Sequence, residues 1–269
     1  MKKIITFICI VFFTAISCFA QTEFSKNNFN LSVGAGIPLG KFSSKDPNNE
    51  FAGYAKTGVN IALSWEHKIK KNFFFNAMLF GAENGLNTNA MANSFSKTGM
   101  LSFYGNPRYY GNWSVDKKRW YTGALLVGAS VESSIGEESK LFYLIKIVAG
   151  VAHLQYPKIS ANSKTDTSYA VYNQTGGGAF SFAYLLEVGL KYKFNNKWAA
   201  IFKVNHFQTG KFNFKDVTTT VAATNGGLVV PKVYELSNSK MTPLATATTS
   251  STKQVVDLLN INLGVSYSF

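Results

Sequence analysis

The chain has 269 residues, 46% of them apolar, with 27 basic against 14 acidic side chains and a formal net charge of +13. Mean hydropathy is near zero at +0.01, and no segment after the first twenty residues is long and apolar enough to be a membrane helix, which excludes a helical membrane protein. The basic excess raises nucleic acid as a partner, but no helical basic face or nucleic-acid motif is present, so anionic lipid headgroups are the expected counterpart.

Residues 1–20 read as an export signal, with Lys2 and Lys3 ahead of an apolar stretch and Ala20-Gln21 as the cleavage point. A lipoprotein signal ending at Cys18 is the alternative, and Phe19-Ala20-Gln21 fits ordinary cleavage better. Both cysteines, Cys9 and Cys18, lie in this segment. The remaining 21–269 is then one domain without thiol or disulfide, as suits a barrel held by its own closure.

Eight strands follow, each with apolar residues at every second position. Segment 28–39 places Phe29, Leu31, Val33, Ala35 and Ile37 on one face, and Asn30, Ser32, Gly34 and Gly36 on the other. Segment 54–67 sets Val59, Ile61, Leu63 and Trp65 against Asn60, Ser64 and Glu66. In 72–82, Asn76 marks the polar face, leaving Phe73, Phe75, Ala77 and Leu79 outward. Segment 119–132 puts Tyr121, Leu125, Val127, Ala129 and Val131 outward and Glu132 inward. Segment 140–155 is apolar on both faces; Lys146 decides it, sending Tyr143, Ile145, Ile147 and Val151 outward. The stripe from Phe180 through Phe182, Tyr184, Leu186, Val188, Leu190 and Tyr192 to Phe194 makes 179–194 the clearest strand, with Glu187, Lys191 and Lys193 on its other face. Segment 198–208 has Trp198, Ala200, Phe202 and Val204 outward, and Lys203 and Asn205 inward. The last strand alternates Leu259, Ile261, Leu263, Val265, Tyr267 and Phe269 with Asn260, Asn262, Gly264, Ser266 and Ser268.

Connections alternate short (68–71, 133–139, 195–197) and long (40–53, 83–118, 156–178, 209–252). Turns on one side and long loops on the other are the habit of outer-membrane barrels. The expected fold is all-β, an antiparallel up-and-down transmembrane β-barrel of eight strands. Ten is the alternative, if two more strands form between 217 and 234. The polar tract 245–252 reads as a flexible, exposed loop. Aromatic belts are expected at both membrane interfaces: Phe29, Trp65, Phe73, Tyr192, Trp198, Tyr267 and Phe269 at the short-turn end, and Tyr54, Tyr121, Tyr156, Phe180 and Phe182 at the other.

The signal ending Phe19-Ala20-Gln21, the first strand from Gly34 to Phe42, and the terminal Gly264-Val-Ser-Tyr-Ser-Phe269 resemble the outer-membrane β-barrels common in Bacteroidetes, similar in architecture to the OmpA membrane domain. The resemblance implies a bacterial outer-membrane location. It also implies that Val265, Tyr267 and Phe269 form the signal read by the barrel assembly machinery.

Chemistry-bearing patterns are sparse. Gly34-x-Gly36-x-x-x-Gly40 has the wrong spacing for a phosphate loop, contains Pro38 and precedes no helix, so these read as strand glycines easing curvature. The three histidines, His67, His153 and His206, form no metal-ligand spacing, and neither metal nor cofactor is expected. His206 has lipid-facing parity near the outer rim, resembling the His-x-Ser stretch of outer-membrane lipid A deacylases. Gln208 holds the serine position, however, and an amide is no nucleophile.

The inward charges say more. Glu66, Glu132 and Glu187 share the lumen with Lys146, Lys191, Lys193 and Lys203. Buried charges need partners, and an eight-stranded interior is just wide enough for side chains to fill, so a polar plug is expected. A three-residue turn at Asn195-Asn196-Lys197, with a left-handed asparagine, sets Glu187 opposite Asn205 and Lys203 opposite Gly189. Glu187 and Lys203 then meet diagonally, with Lys191 approaching the same carboxylate. These features favour a non-enzymatic monomeric barrel of the envelope. Its expected partners are outer-membrane lipids and lipopolysaccharide, and an extracellular partner through the long loops. The alternatives are a small pore, a lipid-modifying enzyme around His206, and a secreted lipocalin-like barrel with the faces inverted.

Overall fold

The computed structural model describes residues 26–46, 49, 51–97, 113–136, 140–164, 168–225, 228–234 and 249–269. The segment read as an export signal lies outside them.

Eight strands close a barrel: β1 (Asn27–Pro38), β2 (Gly58–Lys70), β3 (Phe73–Gly85), β5 (Arg119–Ser134), β6 (Leu141–Gln155), β9 (Gly178–Lys193), β10 (Trp198–Thr209) and β14 (Asp257–Ser268). Neighbours are antiparallel, and β1 meets β14 from Asn28↔Ser268 to Pro38↔Leu258. Asn27 and Phe269 exchange backbone hydrogen bonds of 3.2 and 3.0 Å, so the chain's two end strands seal the wall. The inward glycines of the first strand allow this closure. A Cβ on Gly34 would fall 1.9 Å from the Ile261 carbonyl oxygen, closer than any side chain permits.

The alternation read in the sequence decides the faces. Phe180 is 71% exposed and Leu263 67%, while the inward neighbours Ala179 and Asn262 are buried. The apolar stripes therefore face outward, the inverse of a soluble lipocalin-like barrel. On β9 the outward run from Phe180 to Tyr192 spans roughly 40 Å of strand, or about 30 Å of height at a 40° tilt, which matches a bilayer core.

At the short-turn end the aromatic belt is a contact chain. Phe29 stacks on Phe269 at 5.4 Å, Phe269 on Tyr267 at 6.1 Å, and Tyr267 meets Trp198 at 4.9 Å. The β9–β10 turn is held by Asn195, whose Oδ1 accepts from the backbone N–H of Lys197 and Trp198 at 2.8 and 2.9 Å. This side-chain turn replaces the expected left-handed asparagine: among described non-glycine residues only Tyr54 has positive φ.

The described parts of the long connections carry regular structure of their own. They contribute β4 (Trp113–Val115), β7 (Ile159–Lys164), β8 (Ser168–Gln174), β11 (Phe212–Asn225), β12 (Leu228–Tyr234) and β13 (Thr249–Gln254). These six form a second sheet in the order β12-β11-β8-β7-β4, with β13 also on β11. Strands do form in the 217–234 region, but they join this cap and leave the barrel at eight. Thr249–Gln254 pairs with β11, so the described part of the Thr/Ser tract is a strand rather than a flexible loop. Two helices, α1 (Gly40–Ser43) and α2 (Thr88–Lys97), complete the cap.

Beneath the cap lies an aromatic core. Trp120 meets Phe42 at 5.6 Å and Tyr156 at 5.0 Å, and Tyr156 meets Phe214 at 5.2 Å. Trp120 Nε1 donates to the Gly53 carbonyl at 2.9 Å, and the Tyr54 hydroxyl donates to Ser94 at 3.0 Å. Tyr54 is thus a buried cap residue and Tyr156 a half-buried one packed against the cap core, rather than members of an outer belt. Burial pushes the Tyr156 phenol above its ordinary pKa range. Tyr121, Phe180 and Phe182 do face outward.

Candidate functional site

All seven lumen charges singled out in the sequence point inward, and they separate into two clusters. Lys146, on β6, is the hub of the first. Its Nζ lies 2.9 Å from Glu66 on β2 and 3.4 Å from Glu187 on β9. Lys203, on β10, lies 3.3 Å from the same Glu187 oxygen. The β9–β10 register is Glu187↔Asn205 and Lys203↔Gly189, as the short turn requires, so the diagonal contact follows from the wall itself. Lys146 and Glu187 are direct cross-strand partners.

The second cluster gathers at the short-turn mouth. Lys191 Nζ donates to Glu132 at 2.6 Å, and Lys193 lies 3.7 Å from the other Glu132 oxygen. Lys191 therefore does not approach Glu187, as the sequence reading had it. Glu132 pairs in register with Leu144, and Leu144 with Gly189, which lifts that carboxylate beside Lys191. Lys193 is part-exposed and lies over the Phe142 ring at 3.9 Å. The three fully inward lysines face three glutamates, so the dry part of the lattice is neutral.

Amides extend the lattice. Asn205 donates to Glu187 at 3.3 Å, Asn260 to Asn205 at 2.7 Å, and Asn28 to Glu66 at 3.5 Å. Ser64 accepts from Lys146 at 3.4 Å, and Asn76 donates to Ser130 at 2.8 Å. The sequence reading placed several of these on the inner face but gave them no role. Inward parity alone does not select them, because the buried Asn60 and Asn262 make no side-chain hydrogen bond among the described residues.

Toward the cap the charges end, and the inward polar groups thin to Asn60, Asn84 and Thr122. Inward positions there carry Met78, Phe80, Leu126, Val148, Leu185 and Phe207, all buried. Phe80 stacks on Phe207 at 4.6 Å. This apolar half runs on into the cap core, where the sequence reading expected a polar lumen. Among the described residues, buried side chains therefore point into the lumen along both halves.

The histidines are dispersed. His67 Nδ1 is 2.9 Å from Asn27 Oδ1, His153 packs on Phe180 at 4.8 Å, and His206 Nε2 is 2.7 Å from Asp257 Oδ1. Gln208 accepts from the Tyr184 hydroxyl, so the position a serine nucleophile would need is an engaged amide. Among the described residues no three His, Cys, Asp or Glu side chains converge as metal ligands, and no described helix is long and apolar enough to cross a membrane. Val265 faces outward, and Tyr267 and Phe269 belong to the stacked belt.

No protein-family model matches the sequence, and no curated protein matches it. Among solved structures, the chain is similar to a major outer membrane protein from Thermus thermophilus (TM-score 0.44, 12% identity, 90% of this chain and 99% of that one). It is also similar to Ail, the attachment invasion locus protein of Yersinia pestis, in complex with the heparin analogue sucrose octasulfate (TM-score 0.40, 10% identity, 91% and 99%). A third is the outer membrane protein OprG from Pseudomonas aeruginosa (TM-score 0.38, 12% identity, 91% and 97%). No functional statement about this chain rests on likenesses of that depth.

Proposed function

We propose that this protein is an integral barrel of a bacterial outer membrane, closed to solutes and without catalytic chemistry. Its role is to anchor a folded β-cap at the cell surface, for envelope structure or contact with an outside partner. The observation that carries this reading is the pairing of an exposed apolar exterior with a filled lumen. An exterior showing Phe180, Phe182 and Leu263 needs lipid around it. An interior crossed by Lys146 between Glu66 and Glu187 has no use as a conduit.

In this reading residues 1–20 direct export and are removed, and 21–269 insert as a monomer. The terminal Val265, Tyr267 and Phe269 are read by the barrel assembly machinery. The first-strand and C-terminal patterns support kinship with the OmpA-membrane-domain-like barrels of Bacteroidetes. An enzyme at His206 is disfavoured because Gln208, an amide engaged by the Tyr184 hydroxyl, stands where a nucleophile would be.

The test is expression in a Gram-negative host followed by fractionation and gel migration with and without boiling. The protein should be found in outer membranes and shift on heating, and removing Phe269 should lower its outer-membrane level. Recovery from the soluble periplasm would refute the reading.

A further inference from the structure

Where β5 and β6 reach the cap, an open groove of about 360 Å³ lies on the outer wall, lined by Lys117, Lys118, Arg119, Tyr121, Gln155 and Lys158 among others. Four cations meet here. Arg119 is paired with Glu83, and Lys118 lies 3.9 Å from an exposed Asp116. Lys117 and Lys158 have no acidic partner among the described residues. The groove is therefore short of negative charge.

Its floor belongs to the apolar band. Tyr121 and Gln155 are cross-strand partners with outward parity, the last such pair before the cap. One outward row lower, about 7 Å down the strands, Gly81 faces Gly123 across β3 and β5. A Cβ on Gly123 would meet nothing within 4 Å, and one on Gly81 would meet only Ile61, at 3.5 Å. Two facing glycines leave a dimple in a wall that is otherwise covered by large side chains, bordered below by Leu79 and Leu125. A cationic groove above an apolar dimple, separated by an amphipathic tyrosine, is the profile of a lipid whose headgroup carries phosphate and whose chains descend beside it.

Resting on the membrane reading above, we propose that this groove and dimple bind one phosphorylated, multiply acylated lipid of the leaflet at the capped end. Phosphate oxygens accept from Lys117, Lys118 and Lys158. The first methylenes of a chain lie against the Gly81–Gly123 backbone.

The test refolds the full chain into phosphatidylcholine nanodiscs doped with bisphosphorylated lipid A. Retained lipid is counted by native mass spectrometry. One lipid A per barrel should survive, and fully dephosphorylated lipid A should not. The triple variant Lys117→Gln, Lys118→Gln, Lys158→Gln should retain it roughly 100-fold less, at about five-fold for each surface cation. Gly123→Leu, which projects into open space and should leave folding intact, should also lower retention by filling the dimple. Removing the short-turn cations Lys26 and Lys197 should change nothing. Equal retention by the triple variant, equal retention of dephosphorylated lipid, or displacement by millimolar inorganic phosphate alone would overturn the site. Failure of the wild-type chain to enter nanodiscs would instead overturn the membrane reading.

Discussion

In the short-turn half of the lumen, inward positions carry Glu66, Lys146, Glu187 and Lys203, whereas in the capped half the same parity on β3, β5, β9 and β10 carries Met78, Phe80, Leu126, Leu185 and Phe207. Both halves are lined by buried side chains, yet they are specified differently. The ionic half is directional, because each lysine must reach a particular carboxylate, along the wall to Glu187 or across the lumen from Lys146 to Glu66. The apolar half is held by contact and volume, and it shares its core with the cap. A charge lattice near the closed turns fixes wall register. An oily core near the cap ties barrel and cap into one packed body.

The sharpest way to break this contrast is to remove a hub. Lys146→Ala leaves Glu66 and Glu187 facing each other without their shared cation, and should cost about 3–5 kcal/mol in denaturant unfolding from lipid. Replacing the four members of that cluster together with apolar residues of similar volume should cost far less, and by the same reasoning could stabilise. If the single and quadruple variants lose equally, the half is not governed by charge pairing.

Phe207→Ala probes the other half. It removes the ring stacked on Phe80 and should cost about 3 kcal/mol as a cavity. Its cost should be indifferent to salt, and the cap should loosen with it, read as faster proteolysis of the long connections. A cap that stays protected would separate the two cores.

A smaller effect belongs to the mouth. Lys193 is 39% exposed at its side chain and shares Glu132 with the buried Lys191. Lys193→Ala should cost at most about 1 kcal/mol. Smallest of all, breaking the exposed Arg119–Glu83 pair should move stability by about 0–1 kcal/mol, and less in high salt.

Where the sequence could be read, it was read through parity and short turns. The alternation of Phe180 to Phe194 against Glu187 and Lys191 decided which face met the lumen. The three-residue connection at 195–197 was enough to align Glu187 with Asn205. Registers across long connections were beyond reach for a physical reason. Nothing local links Lys146 to Glu187, because a 22-residue excursion separates their strands, and only wall closure aligns them. The Lys191–Glu132 pairing is out of reach for the same cause, since Glu132 arrives from β5 by way of the β6–β9 alignment across that excursion. The cap is hard to read because its strands lack a clean apolar alternation, and its sheet joins segments distant in sequence, β4 with β7 and β8 with β11. Tyr54 and Tyr156 misled because an aromatic near a strand end suits either an interfacial belt or a buried core. The apolar half of the lumen is visible as two-faced apolarity in 140–155, where Leu144, Val148, Ala152 and Leu154 face in, and Lys146 marks only one position of that face as polar.

The central claim is that the lumen is shut twice, once by charge and once by apolar packing. Single-channel recording of the refolded full chain in a planar bilayer tests it most directly, with Lys146→Ala, Phe207→Ala and the double variant alongside. The account predicts no steady conductance from the wild type or either single variant, because the untouched half still blocks, and openings in the double variant alone. A steady open channel in the wild type would contradict it.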